Sequence, residues 1–404
     1  MQSATALDNQ GEMLSIGKLG KGQERYYLGK VAEGAEDYYS GEGEAAGEWV
    51  GDAAARLGLD GEVGEDQLVA MLTARNPADG EPLLGMRGVP ASGSVPGFDL
   101  TFSAPKSVSL LWGLGGPEVA AEVKAAHREA VGAALGYMQR EACWTRRGAG
   151  GAQFLKGEGY LAAAYVHRSS RNGDPQLHTH VLVANATRAE GKWTRLYHPA
   201  IYDHATTASY LYEAHLRNEL ARRLGVEWQP TRKGIAEIDG FADEHLRAFS
   251  TRRAEILEAV GENASAASRQ VATLATRKPK EDGVSQVELR ERWRARAEEI
   301  GLDQATIGWT LGAREPAGRS PALGTQRFER AVTEGRSHFD RRDAIQAVAD
   351  SLRNGARAAD VERLADEFLA AESVIQIADT VKGPASPPAA SGSLSARRWR
   401  RWSG

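Results

Sequence analysis

Hydrophobic and polar side chains alternate over residues 97–103, which read GFDLTFS. This period of two predicts a strand with one buried face. Pro105 follows, and because proline is well tolerated in a first helical turn, it opens a predicted apolar helix that ends near residue 114. Residues 118–141 predict a second helix, with apolar side chains on one stripe.

Two further apolar segments, residues 160–168 and 177–187, predict strands, and the second is apolar on both faces, as expected of a central strand. A tight turn at 189–191 leads into a third strand over 192–197. Strands and helices occur in mixed order without a regular β-α repeat. The predicted fold class is therefore α+β, with a largely antiparallel central sheet flanked by helices.

The longest predicted helix covers about residues 204–224, and Gly225 suits its C′ position. Segments rich in Gly, Pro, Ala and Ser indicate linkers, and between them apolar positions at helical spacing predict a hairpin of helices over 341–352 and about 360–371. We expect five segments: an extension over 1–12, the main domain over 13–310, a linker over 311–326, a small helical module over 327–382 and a disordered basic tail over 383–404.

Composition excludes several classes of protein. With 42% apolar and 26% charged residues, the chain of 404 residues is not a disordered or fibrous protein. A single cysteine, Cys143, excludes a disulfide framework and a thiolate-rich metal site. Because no apolar run is long enough to cross a bilayer and residues 1–12 lack a basic signal-peptide region, we expect a cytoplasmic protein without membrane insertion.

The net charge of −4 conceals an uneven distribution. Residues 31–66 hold eleven acidic side chains against one basic side chain, whereas residues 140–233 hold fourteen basic against eight acidic ones. The first stretch would repel a phosphate backbone, and the second is suited to binding a polyanion.

The sharpest candidate for chemistry is His178-Thr179-His180, because the period of a strand places both imidazoles on one face. His167 ends the preceding strand, and residues 172–175 (NGDP) suit a hairpin connection. If the strands pair, three imidazoles converge and leave coordination positions open, as in a catalytic metal site. Ligand softness alone favours Zn, Ni, Mn or Co. A hydrogen-bonded histidine pair without a metal is the structural alternative.

Two tyrosine pairs, Tyr26-Tyr27 and Tyr38-Tyr39, lie near the N-terminus. A tyrosine hydroxyl, with an ordinary pKa of about 10, is a poor nucleophile until a metal or a base activates it. Aromatic anchors for an amphipathic helix are the structural alternative. Asp99 adds a carboxylate on a strand, for which a helix cap or a solvated position is the alternative.

Taken together, these features resemble the relaxase domain of MobF-type conjugative relaxases, which belong to the HUH endonucleases. The motifs occur in the family's order, and the resemblance covers roughly residues 13–310. It rests on Met13-Leu14-Ser15, the two Tyr-Tyr pairs, the segment 97–109 (GFDLTFSAPKSVS), and the segment 174–180 (DPQLHTH) with His167 upstream.

The resemblance implies site- and strand-specific nicking and strand transfer at a plasmid origin of transfer through a 5′-phosphotyrosine intermediate, which initiates conjugative DNA transfer. It implies that His167, His178 and His180 bind the metal, and that Asp99 orients one imidazole. Tyr26 is implied as the nucleophile.

Tyr38 is implied as the second nucleophile, for the later strand transfer, with Tyr27 and Tyr39 as accessory tyrosines. The step from Tyr26 to Tyr38 is longer than usual in the family, which weakens the assignment of Tyr38. The family suggests Mg²⁺ or Mn²⁺, whereas softness leaves Zn²⁺ or Ni²⁺ open. No nucleotide is expected, because the chain lacks a G-x-x-x-x-G-K-[ST] loop.

The expected partner is single-stranded DNA at the origin of transfer with an adjacent hairpin, together with accessory relaxosome and coupling proteins, and a monomer is expected. The module over 327–382 resembles the entry to the helicase region of full-length members. Candidate DNA-binding residues are Lys106, Arg168, Arg171, Lys192, Trp193 and Arg195.

Two other functions remain open. A catalytically idle module could recognise an origin hairpin and its single strand, although binding alone does not require the three histidines and Tyr26. A zinc hydrolase could use the His-x-His strand to activate water, although it leaves the tyrosine pairs unexplained.

Overall fold

The computed structural model describes residues 13–20, 46–84, 95–261, 268, 272, 286–312, 332, 338–379 and 397–401. The strands in these ranges are β1 (Leu14–Lys18), β2 (Glu48–Val50), β3 (Gly97–Ser103), β4 (Trp144–Arg147), β5 (Gln153–Lys156), β6 (Ala162–Ser169), β7 (Pro175–Ala184), β8 (Thr187–Ala189), β9 (Lys192–Thr194), β10 (Phe339–Asp340), β11 (Val374–Asp379) and β12 (Arg397–Arg401).

The helices alternate irregularly with the strands. They are α1 (Asp52–Arg56), α2 (Glu65–Leu72), α3 (Lys106–Leu114), α4 (Pro117–Ala142), α5 (Pro199–Leu224), α6 (Asp243–Ala248), α7 (Thr251–Val260), α8 (Gln286–Glu299), α9 (Gln304–Trp309), α10 (Arg341–Ser351) and α11 (Ala358–Leu369). Within the described ranges, no helix combines the length and the apolar content that crossing a bilayer requires.

The central sheet has five strands in the order β1-β3-β7-β6-β2, and every neighbouring pair is antiparallel. Smaller two-stranded sheets join β4 to β5 and β8 to β9. The predicted α+β class with a largely antiparallel sheet is therefore confirmed. The turn between β8 and β9 is as tight as predicted, and Glu190 and Gly191 both have positive φ, which matches the twist of a two-residue hairpin turn.

The two faces of the central sheet are covered differently. Apolar side chains of β3 and β7, among them Phe98, Leu100 and Val181, face the main core beneath α3, α4 and α5. On the other face, α1 and α2 pack a second core around Trp49 and Tyr165. This second core includes Ala163 and Leu182, and the same face of the sheet continues from them to the three histidines.

The long helix α5 begins at Pro199, five residues before its predicted start, because proline fits the first helical position. It ends as predicted, with Gly225 in the left-handed conformation. The third strand of the sequence prediction is shorter than expected and ends at Thr194.

The helical hairpin of α10 and α11 packs on α5 and shares the main core with the rest of the protein. Arg217 of α5 is fully buried and donates hydrogen bonds to the carbonyl oxygens of Ala349 and Leu352 at 2.8 and 3.3 Å. Ala356 N–H donates to the carbonyl of Ala214 at 3.1 Å. The surface that this amphipathic hairpin requires is thus supplied by α5.

The backbone of β12 pairs antiparallel with β10 and with β11. The sequence prediction of a disordered tail over 383–404 therefore differs from the structure at residues 397–401. Backbone hydrogen bonds to two neighbouring strands order residues 397–401, and composition alone does not predict such bonds.

Candidate metal centre and active site

Three histidines converge where β6 and β7 approach their hairpin. His167 lies opposite His178 in the antiparallel register, and the alternation of β7 places His180 on the same face. The ring centroid of His167 lies 5.2 Å from that of His178 and 4.7 Å from that of His180. The ring centroids of His178 and His180 are 5.1 Å apart. One nitrogen of each ring can be chosen so that all three lie within 4.8 Å of one another. This arrangement can hold one metal ion and leave positions for a substrate.

Asp99 lies directly behind His180. The two carboxylate oxygens of Asp99 are 3.0 and 2.9 Å from His180 Nδ1, and Thr101 Oγ1 donates to Asp99 Oδ1 at 3.1 Å. When Nδ1–H of His180 donates to the carboxylate, Nε2 carries the free lone pair. A carboxylate behind an imidazole in this way fixes its orientation and increases its basicity as a metal ligand.

His178 is oriented by its own strand. Its Nδ1 lies 2.9 Å from the carbonyl oxygen of Gln176, so Nδ1–H donates to the backbone and Nε2 is presented away from it. His167 is buried, with 5% of its surface exposed. The three histidines therefore fit a divalent cation, because neutral imidazole nitrogens are metal ligands. In His178 and His180, the hydrogen bond at Nδ1 also selects the tautomer that leaves Nε2 for the metal.

The opposite face of β7 is fixed by α4. Thr179 points away from the histidines that flank it, and its hydroxyl lies 2.8 Å from His127 Nε2. His127 Nδ1 lies 2.8 Å from the hydroxyl of Tyr212. Burial lowers the pKa of His127 to about 3, so this imidazole is neutral at physiological pH. The contact anchors the strand at the residue between two candidate ligands.

The β6–β7 hairpin is clamped from the C-terminal part of the chain. The buried carboxylate of Asp174 accepts hydrogen bonds from Thr251 N and Oγ1 at 2.9 and 2.5 Å and from Arg296 Nη1 at 3.0 Å. Trp293 Nε1 donates to the carbonyl of Gly173 at 2.6 Å. Helices α7 and α8 thus fix the turn that precedes His178.

Lys106 completes this clamp at the start of α3. Its Nζ donates to the carbonyl of Pro175 at 2.8 Å and to Gln176 Oε1 at 2.9 Å. Burial lowers the pKa of Lys106 to about 8, although Asp174 and Glu237 oppose the shift. Lys106, predicted to contact DNA, is thus placed against the residue whose backbone orients His178.

The other candidate DNA-binding residues fall into two groups. Arg168 and Arg171 lie at the end of β6 and in the hairpin turn, beside the histidines in sequence and in the fold. Lys192 and Trp193 belong to β9, and Arg195 follows it, so these three lie on the separate β8–β9 ribbon. Their contact with DNA remains a prediction.

The predicted nucleophiles are not among the placed residues. Tyr26, Tyr27, Tyr38 and Tyr39 lie outside the described ranges, and their roles stay predictions. The strand before them is described: Gly17 of β1 pairs with Asp99 in β3.

A second group of possible ligands, Glu129, His215 and Glu219, lies on the helices. Two arginines already neutralise its carboxylates. Arg223 bonds Glu219 at 3.1 Å and Glu129 at 2.6 Å, and Arg222 bonds Glu219 at 2.5 Å. Cations in these positions compete with a metal ion, so the three-histidine cluster is the better site.

Sequence reasoning missed the supporting residues around the site. His127 lies in no motif, and Asp174 belongs to the turn 172–175 and to the segment 174–180 without a predicted role of its own. The partners Thr251 and Arg296 lie 77 and 122 positions from Asp174. No local spacing signals a contact at that separation.

The chain is similar in sequence to known conjugation proteins. The TrwC relaxase family matches residues 20–300. The multifunctional conjugation protein TraI of Escherichia coli is 36% identical over 271 residues, and TraI of Escherichia coli strain K12 is 33% identical over 320 residues. These alignments cover 65% and 77% of this chain but 15% and 17% of TraI, so the chain spans about a sixth of the curated relatives it matches.

Solved structures of TrwC share the fold. The complex with a 27-mer DNA comprising the recognition hairpin and the cleavage site has a TM-score of 0.62 and 28% identity. A copper-bound complex with oriT DNA has a TM-score of 0.63 and 31% identity. Each alignment covers 72% of this chain and 99% of the TrwC chain.

The fold shared with the TrwC structures, with three imidazoles on its antiparallel sheet, places the chain in the class of relaxase domains. The match over most of its length shows that the chain belongs to the TrwC relaxase family. The family resemblance predicted from the motifs is therefore confirmed. The histidine cluster and the metal-bound TrwC structures together support a divalent metal ion as cofactor.

Proposed function

We propose that this protein nicks one DNA strand at a plasmid origin of transfer and transfers that strand, which initiates conjugation. The observation that carries the proposal is the convergence of His167, His178 and His180, with Asp99 behind His180, in a chain of the relaxase family. A TrwC relative was solved with a recognition hairpin and a cleavage site, which supports origin DNA as the substrate.

In the proposed reaction, the hydroxyl oxygen of Tyr26 attacks the scissile phosphorus. A bond forms between the tyrosine oxygen and phosphorus, and the bond from phosphorus to the 3′ oxygen breaks. The tyrosine loses its proton and the leaving oxygen gains one, which yields a 5′-phosphotyrosine and a 3′-hydroxyl. Because one phosphodiester replaces another, religation requires no ATP. Tyr38 is proposed to act in the later strand transfer.

The residues of the site prepare this step. A divalent ion bound by the three histidines supplies charge stabilisation at a non-bridging phosphate oxygen. Asp99 holds His180, and the Gln176 carbonyl holds His178, so that both rings present Nε2 without reorganisation. Tyr26 follows Gly17, which pairs with Asp99, by nine positions, so a fully extended connection spans at most roughly 30 Å.

The identity of the ion is part of the proposal. The resemblance favours Mg²⁺ or Mn²⁺, whereas the softness of three nitrogen ligands favours Zn²⁺, Ni²⁺, Mn²⁺ or Co²⁺. The copper-bound TrwC complex supports a site that accepts a late transition metal. We propose Mn²⁺ as the ion to test first, because it is common to the two arguments.

The proposal extends to partners and location. Single-stranded DNA with an adjacent hairpin is the proposed ligand. Accessory relaxosome and coupling proteins, a monomeric state and a cytoplasmic location stay predictions, as does the independence from nucleotide.

The test uses purified protein, Mg²⁺ or Mn²⁺, and labelled single-stranded oligonucleotides that tile the transfer origin of the host plasmid. We expect an EDTA-sensitive covalent adduct on denaturing gels, mapped by mass spectrometry to Tyr26 or Tyr38. The adduct should disappear in His180→Ala. Tyr202→Phe, on an exposed helical tyrosine, is the matched control for Tyr26→Phe and should retain it.

The two alternatives give different results. Tight, specific binding with neither cleavage nor adduct would indicate an idle origin-binding module. Hydrolysis that survives Tyr26→Phe and Tyr38→Phe together would indicate a metal hydrolase that activates water.

A further inference from the structure

A concave basic pocket lies on the face of the central sheet opposite the three histidines. It is a partly open cleft of about 180 Å³ between β6, β7 and helices α3, α4 and α8. Its basic side chains are Lys124, Arg168 and Arg290, and its floor is apolar, formed largely by Trp112, Val166 and Leu177. We call this site the helix-face pocket.

The helix-face pocket is adjacent to the metal centre through two strands. Arg168 follows His167 in β6, and Leu177 precedes His178 in β7, so each pair points to opposite faces of the same strand. Consecutive Cα atoms lie about 3.8 Å apart. The pocket and the histidine cluster are therefore separated by little more than the thickness of the sheet.

At this edge of the sheet, β2 is the neighbour of β6 that the structure describes. β2 pairs with β6 only as far as Glu48 opposite Ala164. Within the described ranges, no strand pairs with β6 on this side between Ala164 and Ser169. Arg168, which lines the helix-face pocket, lies in this part of β6.

Like charges are concentrated in the pocket. The Arg290 guanidinium lies 5.3 Å from the ring centroid of Trp112, and its pKa is lowered by burial and by the neighbouring charges of Arg294 and Arg168. The pKa of Lys124 is lowered by burial and by Arg168, with a weaker opposing effect from Glu48. Cations held together in a partly desolvated cleft attract an anion, because it relieves their mutual repulsion.

The carboxylate of Glu48, which opposes the lowered pKa of Lys124, also pairs with Arg128 at 2.7 Å. The combination of fixed cations with an apolar floor matches a phosphodiester, whose phosphates carry charge and whose sugars are less polar. We propose that the helix-face pocket binds a backbone phosphate of the single-stranded DNA whose cleavage site lies at the metal centre. This inference rests on the proposed function, because it deepens the assignment of single-stranded DNA as substrate.

Binding and its salt dependence test the inference independently of catalysis. Anisotropy measurements in EDTA use a labelled oligonucleotide that the wild-type protein cleaves, or oligothymidylate if none is cleaved. We expect Lys124→Gln and Arg290→Gln each to weaken binding, and to reduce the slope of log affinity against log salt by about 0.7, the value for one phosphate contact on a single strand. Arg363→Gln, at an exposed position of α11, is the matched control and should leave both unchanged.

A second arm localises the contact. Single linkages of the cleaved oligonucleotide are replaced by uncharged methylphosphonate. We expect one linkage near the cleavage site to weaken binding to the wild-type protein but not to Lys124→Gln, because the charge pair is already lost. Lys124→Gln leaves the contact between Arg290 and Trp112 in place, so this variant remains informative if Arg290→Gln lowers the melting temperature.

Unchanged affinity and slope in both variants would overturn the inference. Equal losses of DNA affinity at every methylphosphonate position would also overturn the inference, because they would show a general electrostatic attraction and not a single phosphate contact. Tighter DNA binding by the variants would also overturn it, and would identify an acidic segment of the chain as the occupant. Failure of the proposed function appears separately, as absence of an EDTA-sensitive adduct in the wild-type protein.

Discussion

The carboxylate of Asp99 lies 2.9 Å from Nδ1 of His180, although 81 positions separate the two residues in the chain. The contact exists because β3 and β7 pair. The register of this pair places Thr101 directly opposite His180. It connects the two motifs of the site: the first supplies the carboxylate and the second supplies the imidazoles.

Asp99→Asn should weaken metal binding while the fold is retained. The amide keeps the shape of the side chain, but it removes the negative charge that holds Nδ1–H of His180. We expect a loss of about 10- to 100-fold in Mn²⁺ affinity, measured by calorimetry. Asp60→Asn, at an exposed position, is the control. An unchanged Mn²⁺ affinity in Asp99→Asn would show that the carboxylate does not support the ligand.

Lys106→Met should raise the Mn²⁺ concentration required for nicking. The variant removes both hydrogen bonds to Pro175 and Gln176, and the segment that orients His178 is then less constrained. We expect metal affinity to fall by up to about tenfold, with partial recovery in Lys106→Arg. Lys156→Met, on β5, controls for loss of a lysine. If instead DNA affinity falls and metal affinity does not, Lys106 acts on DNA, as the sequence prediction holds.

Glu213→Gln should stabilise the protein increasingly as the pH rises. Glu213 is buried, and neither of its carboxylate oxygens has a hydrogen-bond partner within the described part of the chain. Burial raises its pKa from the ordinary value of 4.5 to about 8, against the opposing charge of Arg217. The folded protein therefore retains a proton that the unfolded chain releases above about pH 4.5, so wild-type stability falls as the pH rises through this window.

Denaturant unfolding between about pH 5 and about pH 8 provides the measurement. Glu213→Gln should gain about 1–3 kcal/mol relative to wild type at the upper end, and less at the lower end. Glu118→Gln, at an exposed position, should show no such trend. A difference between Glu213→Gln and wild type that is independent of pH would contradict the raised pKa.

Gly355→Ala should destabilise the protein by more than Gly58→Ala. Both glycines have positive φ, 68° and 71°, so both variants carry the same backbone strain of about 1–2 kcal/mol. A Cβ at Gly355 would also lie 2.0 Å from the carbonyl oxygen of Ala214, whereas nothing lies within 4 Å of one at Gly58. We expect an additional cost of about 1–3 kcal/mol from this overlap, measured by urea unfolding. Equal costs would mean that the hairpin separates from α5 readily.

Local patterns in the sequence determined much of the fold and part of the site. Alternation over 97–103 predicted β3, Gly225 marked the end of α5, and the period of a strand placed His178 and His180 on one face. These features depend on neighbours within a few positions, where backbone geometry alone decides which side chains share a face. The ordered motifs also identified the family.

The tertiary structure alone decided which distant groups meet. Strand pairing brought Asp99 to His180, and α7 and α8 supplied Thr251 and Arg296 to Asp174. Such contacts join positions tens of residues apart, and their energies depend on burial and partner geometry that no local spacing encodes. The helix-face pocket has the same origin, since its three cations come from one strand and two helices that only the packed fold brings together.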